Sequence, residues 1–284
     1  ANQRPANGRS LCRPWRTRWP HGRLRRRRLV QPSVEASDLV CPVCQHPAEL
    51  LDVLDFNTSC EQARGRHFAL SGIPIYYVLC PQCGFACAPQ MRRWTPAQWK
   101  ERVYNADYAR VDPDHRQSRP LADATLLLQS VGPHATALRH LDYGGAEGVL
   151  AAALAQSGWN SVNWDPMHVG AQDLRTLGRF DLITAFEVAE HASDPQALMA
   201  QWRALLQPGG VVLLSTLLSD GHIALNQRLT WWYAAPRNGH VCLYSAASLN
   251  RLAQQHGWRC TSLSASLHML HTDVPPWAAR WQTV

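Results

Sequence analysis

The chain has 284 residues, enough for one large domain and a smaller one, and its 46% hydrophobic content can fill a substantial core. Its formal charge of +7 is a property of one end: residues 1–30 hold ten arginines and no acid, so the remainder sums to −3. No run approaches the ~18 consecutive apolar residues of a membrane span, and none follows the arginines at the ~7–15 residues of a secretory signal. A cytoplasmic protein is therefore expected.

Residues 1–37 read as a basic, disordered tail with no period. Arg25 to Arg28 could alternatively form a phosphate-binding arm. Lysine is nearly absent from the whole chain, with Lys100 the only one.

Residues 38–92 carry two C-P-x-C pairs, Cys41-Pro-Val-Cys44 and Cys80-Pro-Gln-Cys83, separated by residues 45–79. Each is shaped like a zinc knuckle, a tight turn that points two thiolates at one ion, and two knuckles complete a tetrahedral four-sulfur site. Four thiolates leave no open position for water, so the Zn2+ is expected to be structural, holding together a module with little core of its own. Two pairs of reduced thiols, or a redox pair, are the alternatives. Cys60, Cys87 and His67 are spare ligands, whereas Cys12, Cys242 and Cys260 follow no pattern.

Residues 93–137 read as a helical connector. Thr95 is an N-cap with Pro96 at the first helical position, and the spacing predicts one helix through Trp99, Tyr104 and Tyr108. Tyr104 and Tyr108 would share a face, either as a packed stripe or as part of a site. A second helix is expected over Leu121–Val131.

From residue 138 to 284 strand-like and helix-like segments alternate, which argues for a mostly parallel sheet covered on both faces. Strands are expected at 138–143, 160–164, 180–186 and 211–216, with more at the end of the chain. The stretch from Asp165 to Phe180 is short, so any strand there should be stunted. The first strand ends in Asp142 and runs into Gly144, Gly145, Ala146, Glu147 and Gly148, then into a Val/Leu/Ala helix. That is a strand, a tight turn and a helix N-terminus, a unit that turns backbone N–H groups toward a nucleotide-like ligand. A dinucleotide fingerprint started at Gly144 fails at Ala146 and Val149, whereas D-x-G-x-G-x-G fits at Asp142, Gly144 and Gly148 with alanine in the middle glycine position. Asp165 closes the next apolar stretch, 17 residues beyond Gly148 (165 − 148), at the place where an acid accepts both ribose hydroxyls. Asp173 is a candidate partner for the adenine amino group of such a ligand. Phe180–Pro195 then reads as a buried strand followed by Glu187, Glu190 and His191, and Leu205–Thr216 as a helix end, a Pro-Gly-Gly turn and another strand. Between Leu217 and Tyr244 lies an aromatic insertion with Trp231, Trp232, Tyr233 and His240, fit to wall a pocket, form a lid or make a dimer contact.

The motif at Asp142–Gly148, followed in this order by Asp165, the Phe180–Pro195 segment and the Pro-Gly-Gly strand, resembles class I S-adenosylmethionine-dependent methyltransferases, nearest the ubiquinone-biosynthesis O-methyltransferase type. The resemblance covers roughly Leu138 to Trp258. It implies a Rossmann-like α/β fold with a mostly parallel seven-stranded sheet, beside the small zinc-ribbon-like module, and S-adenosylmethionine as cofactor. It further implies cofactor contacts from Asp142, Gly144, Gly145, Ala146 and Gly148, from Asp165, Pro166 and Met167, and from Phe186, Glu187 and Val188. Tyr104, Tyr108 and Arg119 would meet the cofactor's methionine end, because the segment before the nucleotide domain folds over it in many such enzymes. The implied reaction is methyl transfer to a small-molecule acceptor, with oxygen the expected nucleophile and His191 or His240 as general base. Two other readings compete. One is a zinc-bearing rRNA methyltransferase, against which the slightly acidic body shows no basic, aromatic-interleaved groove. The other is a non-catalytic zinc-ribbon protein with a degenerate Rossmann-like domain, against which Asp165 and the intact acidic motifs argue.

Overall fold

The computed structural model describes residues 35–168 and 172–282; the arginine-rich stretch Arg25–Arg28 lies outside them. The first part of the chain forms β1 (Glu49–Asp55), β2 (Pro74–Leu79) and β3 (Ala86–Cys87), then α1 (Pro89–Arg92), α2 (Pro96–Arg102), α3 (Tyr108–Val111) and α4 (Ser118–Val131). The second part alternates: β4 (Arg139–Tyr143), α5 (Val149–Gln156), β5 (Asn160–Trp164), β6 (Phe180–Phe186), α6 (Pro195–Leu205) and β7 (Leu206–Ser215). It ends with β8 (Cys242–Leu243), α7 (Ala246–Gln255), β9 (Arg259–Ser262) and β10 (Leu267–His271).

The main sheet has the order β5-β4-β6-β7-β10-β9. Parallel pairing joins β5, β4, β6 and β7, and β10 runs antiparallel to both β7 and β9, so five of the six strands point one way. The expected α/β architecture is present, with six strands among the described residues in place of seven. The missing strand belongs to the short segment after Asp165. Among the described residues of that segment the one helical or strand element is a 3-10 turn at Leu174–Thr176, opened by Asp173, whose carboxylate accepts from the Arg175 backbone N–H at 3.0 Å. That segment is too short for a helix, a strand and the return to the sheet. Asp173 also holds the Arg175 guanidinium at 2.6 Å, an exposed local pair.

Strand periodicity decides what each face of the sheet packs against. Leu182, Val211, Leu213 and Met269 point to one side, where Leu127 of α4 and Leu150 and Leu154 of α5 cover them. Ile183, Ala185, Val212 and Leu214 point to the other side, against Leu198, Met199 and Trp202 of α6 and Leu249 and Leu252 of α7. The same core continues without a break into the cysteine-rich region through Val43, Tyr77 and Phe85.

The second sheet explains that continuity. Its order is β1-β2-β3-β8, all antiparallel, and β8 comes from the insertion some 150 residues later (242 − 87), pairing Cys242 with Cys87 and Leu243 with Ala86. The insertion is thus not a lid. Trp231 is 7% and Tyr233 2% exposed, and of the three aromatics only Trp232 reaches solvent. Asn238 accepts from the Cys60 backbone N–H at 2.9 Å, and Arg237 donates to the Val103 carbonyl at 3.0 Å.

The connector also differs from expectation. Thr95 caps the helix ahead of Pro96, as the sequence indicates, and adds a reciprocal capping box with Gln98, but the helix stops at Arg102 and a separate turn of helix begins at Tyr108. Asn105 causes the break: its side chain caps the Glu101 carbonyl at 2.9 Å and takes the place of the next backbone donor. Tyr104 and Tyr108 still meet edge to face, with ring centroids 5.1 Å apart. No helix of the described residues is long and apolar enough to cross a membrane.

Candidate active site

The direction of chain progression reverses between β4 and β6, and in such sheets ligands bind in the crevice at the carboxyl ends of the strands flanking that point. Two non-glycine residues with left-handed backbones sit there, Ala146 (φ 46°) after β4 and Glu187 (φ 54°) after β6. Residues held in that region concentrate at functional sites, where the surrounding structure offsets the strain.

Gly145 lacks a side chain for a steric reason. A Cβ there would lie 2.1 Å from Asp142 Oδ2 and 2.3 Å from Asn163 Oδ1. Gly144 faces Val188 in the same way, its notional Cβ 2.6 Å from a Val188 methyl. Gly148, at φ 76°, is the N-cap of α5. Asp165, at the end of β5, holds the loop from outside: one carboxylate oxygen accepts from the Ala146 N–H at 2.9 Å and the other from the Met167 N–H at 2.7 Å. Pro166 and Met167 are exposed beside it, Met167 at 37%. Asn163 was not legible as a site residue. It donates to the Ala146 carbonyl at 3.1 Å and leaves its own Oδ1 buried and without a partner among the described residues.

Asp142 is 3% exposed. One of its oxygens accepts weakly from the Thr184 hydroxyl at 3.3 Å; the other, Oδ2, has no partner among the described residues. Thr184 in turn meets His140 Nε2 at 2.9 Å, and the His140 Nδ1 meets Ser161 at 2.8 Å. Burial pushes the Asp142 carboxyl up to about 7 and holds His140 down at about 3. Between pH 4 and 7 the unfolded chain has therefore lost a proton that native Asp142 keeps, and this group's contribution to stability falls as pH rises through that window. Relative to wild type, Asp142→Asn is expected to gain stability from pH 4 to pH 7 and then hold a constant difference, as read by denaturant unfolding of the ligand-free protein. A difference that does not change across the window would show that Asp142 is ionised in the native state.

Beyond Glu187 the chain makes one 3-10 turn, Ala189–His191. The insertion is zipped against it: the Val241 N–H donates to the Glu190 carbonyl at 2.8 Å, the Tyr244 hydroxyl to the Ala189 carbonyl at 3.1 Å, and the Cys242 thiol to the Ala192 carbonyl at 3.2 Å. This brings His191 and His240 together, with ring centroids 5.0 Å apart. His191 Nδ1 meets the Tyr104 hydroxyl at 3.2 Å, and His240 Nδ1 faces the Tyr233 carbonyl at 2.7 Å. Glu190 is fully buried. It accepts a short hydrogen bond from the Tyr233 hydroxyl, which also reaches Glu187 at 3.4 Å, and the Ser215 hydroxyl donates to Glu187 at 3.0 Å. Burial holds His191 down at about 4 and His240 at about 3, so both rings are neutral at pH 7, while burial and the neighbouring Glu187 push Glu190 well up. Tyr233, which the sequence offers only as one of several aromatics in the insertion, is the residue whose hydroxyl joins Glu190 to Glu187.

The structure does not bring every expected cofactor residue to the crevice in the same way. Tyr104 and Tyr108 pack beside His191 and His115, and Tyr108 donates to the Asn238 carbonyl at 3.3 Å. Arg119, expected at a carboxylate of the ligand, is instead engaged by Asp112 through two hydrogen bonds, at 3.1 and 2.8 Å. Phe186 packs with the α4/α5 side of the sheet.

The four cysteines Cys41, Cys44, Cys80 and Cys83 are buried together, their sulfurs all within 4.8 Å of one another. Cys41 and Cys83 are 3.6 Å apart and Cys44 and Cys80 3.4 Å, against roughly 3.8 Å between sulfurs around a tetrahedral zinc with ~2.3 Å bonds. The two knuckles are built alike. Each first cysteine carbonyl accepts from the residue four positions on, Gln45 or Gly84, and both of those are left-handed (φ 63° and 72°). The hydrogen bond from Cys83 draws the Cys41 thiol down to about 5, which makes a thiolate readily available. Geometry and donor set therefore fit one zinc ion.

A family model described as a methyltransferase domain matches residues 113–263, more than half of the chain. Among curated relatives, the ubiquinone biosynthesis O-methyltransferase of Cereibacter sphaeroides is 34% identical over 102 residues, covering 28% of this chain and 41% of that protein. That of Colwellia psychrerythraea is 27% identical over 152 residues, covering 44% and 62%. The chain thus spans less than two thirds of the length of the relatives it matches. Of solved structures, the 1,6-didemethyltoxoflavin-N1-methyltransferase of Burkholderia thailandensis aligns at a TM-score of 0.45 and 16% identity, over 73% of this chain and 99% of that one. By its family match over residues 113–263, the chain belongs to the methyltransferase-domain family, as a class I S-adenosylmethionine-dependent type.

Proposed function

We propose that the protein transfers a methyl group from S-adenosylmethionine to an oxygen of a small-molecule acceptor, with a structural zinc ion in the four-cysteine site, and that it works in the cytoplasm. The observation that carries the reading is the family match falling on a crevice with an unpaired, buried Asp142 oxygen and a glycine turn that no side chain could enter. The cofactor supplies an activated methyl group on a sulfonium with its own leaving group, so the protein chiefly binds, aligns and desolvates. Gly144, Gly145, Ala146 and Gly148 let backbone approach the ligand, and Asp142 offers it an acceptor from below. Asp165 retains lone pairs beyond its two backbone hydrogen bonds for the ribose hydroxyls. Tyr104 and Tyr108 wall the side next to His191, and Glu187 and Val188 close the β6 edge. The curated relatives act, by their names, as O-methyltransferases in ubiquinone biosynthesis, and hydroxylated aromatic or quinone-like acceptors are accordingly the first to try. In-line alignment supplies up to ~7–11 kcal/mol of the barrier. Handling of the acceptor's proton falls to the His191–His240 pair.

The test is methyl uptake from labelled cofactor into a panel of small hydroxylated acceptors, alongside a calorimetric titration of the cofactor. Asp165→Ala is expected to weaken cofactor binding by about tenfold or more in a protein that remains folded, because charge-assisted hydrogen bonds to buried hydroxyls exceed neutral ones. Unchanged affinity in the folded variant would remove Asp165 from the site, and a wild-type protein that binds no cofactor would remove the function.

A further inference from the structure

The short run from Arg237 to Val241, which carries His240, is held along its length by the cysteine-rich region. The Arg237 N–H donates to the Thr58 carbonyl at 3.0 Å, and Asn238 accepts from the Cys60 N–H at 2.9 Å. The Tyr77 hydroxyl donates to the His240 carbonyl at 2.6 Å, and the Ala88 N–H to the Val241 carbonyl at 2.9 Å. Three of these bonds have backbone N–H donors, which must find a partner in any fold. The fourth has no such excuse. Tyr77 is fully buried in β2, where phenylalanine would fill the same space, and its one polar side-chain atom is aimed at the residue that bears the imidazole. At the ring itself, His240 presents Nδ1 to the Tyr233 carbonyl at 2.7 Å; a carbonyl can only accept, so Nδ1 carries the hydrogen and Nε2 keeps a lone pair. That bond survives only while the main chain beneath the ring stays in place, because hydrogen bonds weaken steeply with distance and angle. The neighbouring residue leaves little room for drift. Gly239, at φ 95°, passes so close to His191 that a Cβ would lie 3.0 Å from its Nδ1 and 3.2 Å from Trp99 and Val103.

We propose that the cysteine-rich region holds the acceptor end of the methyl-transfer site, with Tyr77 as the positioning residue that keeps the His240 ring in place and in a single tautomer. The inference rests on the methyl-transfer reading and deepens it. In the transfer step the acceptor's O–H bond breaks with its proton going to an imidazole of the His191–His240 pair, and the oxygen forms the new bond to the methyl carbon. The electron pair of the broken carbon–sulfur bond stays on sulfur, leaving a neutral thioether. Such a step depends on where the imidazoles stand, and a displacement of ~1 Å can cost up to ~10²-fold in rate. The glycine turn at Gly144–Gly148 and Asp165 belong to the main sheet and make no bond to Tyr77. Loss of the Tyr77 hydroxyl therefore separates the handling of the acceptor from the binding of the cofactor. The cysteine-rich region then has a second task beside holding its own fold, carried by a side chain three residues ahead of Cys80.

The test is Tyr77→Phe, read first without any turnover. The full-length chain is labelled with nitrogen-15 in its histidines, and the ring nitrogens are followed in proton–nitrogen correlation spectra, the His240 signals being those lost in His240→Gln. In the wild type one His240 nitrogen is expected to be protonated and the other bare; in Tyr77→Phe their two shifts are expected to converge as the tautomers mix. Asn238→Ala, which frees the same run from Cys60, is expected to act in the same direction and serves if Tyr77→Phe does not fold. Alongside, Tyr77→Phe is expected to cut kcat about tenfold, with the acceptor KM and the calorimetric affinity for S-adenosylhomocysteine within about twofold of wild type. His240 signals that stay as in the wild type in the folded variants would overturn the proposal, even if the melting temperature fell, since that is what a merely structural hydroxyl would do. A cofactor affinity that falls together with kcat would overturn it as well. Shifts that converge in a chain that moves no methyl group to any acceptor would uphold the positioning of His240 by Tyr77 and retire the methyl-transfer reading alone.

Discussion

Replacing Cys80 by serine is expected to lower the melting temperature by about 10 °C or more and to remove one zinc per chain. Apparent zinc binding energies in small four-ligand modules are ~10–16 kcal/mol at neutral pH, and that energy is folding energy where the module has little core. Here part of the support is independent of metal, because β1, β2 and β3 share a core with the main sheet. The loss should therefore be a fraction of the peptide value. A loss of ~3–5 kcal/mol corresponds to roughly 10 °C in a chain of this size, at ~2–4 °C per kcal/mol. The damage should reach the far side of the knuckles, because they are anchored by side chains of the methyltransferase region. Gln255 donates to the Val43 carbonyl at 2.8 Å, Gln196 to the Pro42 carbonyl at 3.2 Å, and Ser245 to the Cys83 carbonyl at 2.5 Å. Differential scanning calorimetry and elemental analysis check this together. A variant with unchanged zinc content and unchanged melting would show that these thiols hold no metal.

His191→Gln is expected to cut turnover by about 100-fold or more with cofactor affinity nearly intact. An interaction used only in the transition state lowers kcat and kcat/KM together and leaves ligand binding alone, and proton handling by a positioned side chain contributes typically ~10²–10⁴-fold. Glutamine keeps a polar group for the Tyr104 hydroxyl, so the aromatic stack of Trp99, Tyr104 and Tyr108 should survive. His240→Gln is less selective, since His240 is only 4% exposed and its ring is held by the Tyr233 carbonyl; stability should fall with activity. Undiminished turnover in a folded His191→Gln protein would mean that the acceptor arrives already nucleophilic and that alignment does the rest.

The parts of this site that were legible in sequence are those whose cause is local. The turn at Asp142–Gly148 is encoded by consecutive residues that must reach left-handed backbone or leave space, and Asp165 lies one strand and one helix away in a unit with fixed geometry. The pairing of His191 with His240 was legible only as two names, because 49 residues separate them (240 − 191) and β8 is two residues long. No periodicity marks a two-residue strand; it exists only because β3 offers an unpaired edge. The role of the Tyr233 hydroxyl stayed hidden for a related reason. It sits in an aromatic run whose members face different ways, and only the buried Glu190, 43 positions earlier, gives its hydroxyl a meaning. Asn163 falls inside the strand expected at 160–164, and nothing in β5 itself shows that its side chain lies beneath the loop of the preceding strand. The connector taught the reverse lesson. The i,i+4 spacing of Tyr104 and Tyr108 correctly anticipated contact, while Asn105 between them ended the helix that was to produce it.

The segment between β7 and β8 is, by position, the kind of surface connection that drifts freely in length between relatives. Here it lacks that freedom. Its far end must arrive in register with Cys87 while Tyr233 stays under Glu190, Asn238 over Cys60 and His240 beside His191. An added or deleted residue near Tyr244 would shift the rung by one and turn Cys242 to the opposite side of its sheet. Descendants of this protein that change their acceptor are therefore constrained to do so by exchanging side chains within the segment, not by lengthening or trimming it. Insertions will be tolerated best at exposed Asn226, just before Arg228 and the Leu229 N–H bind the chain to Asp52 of β1.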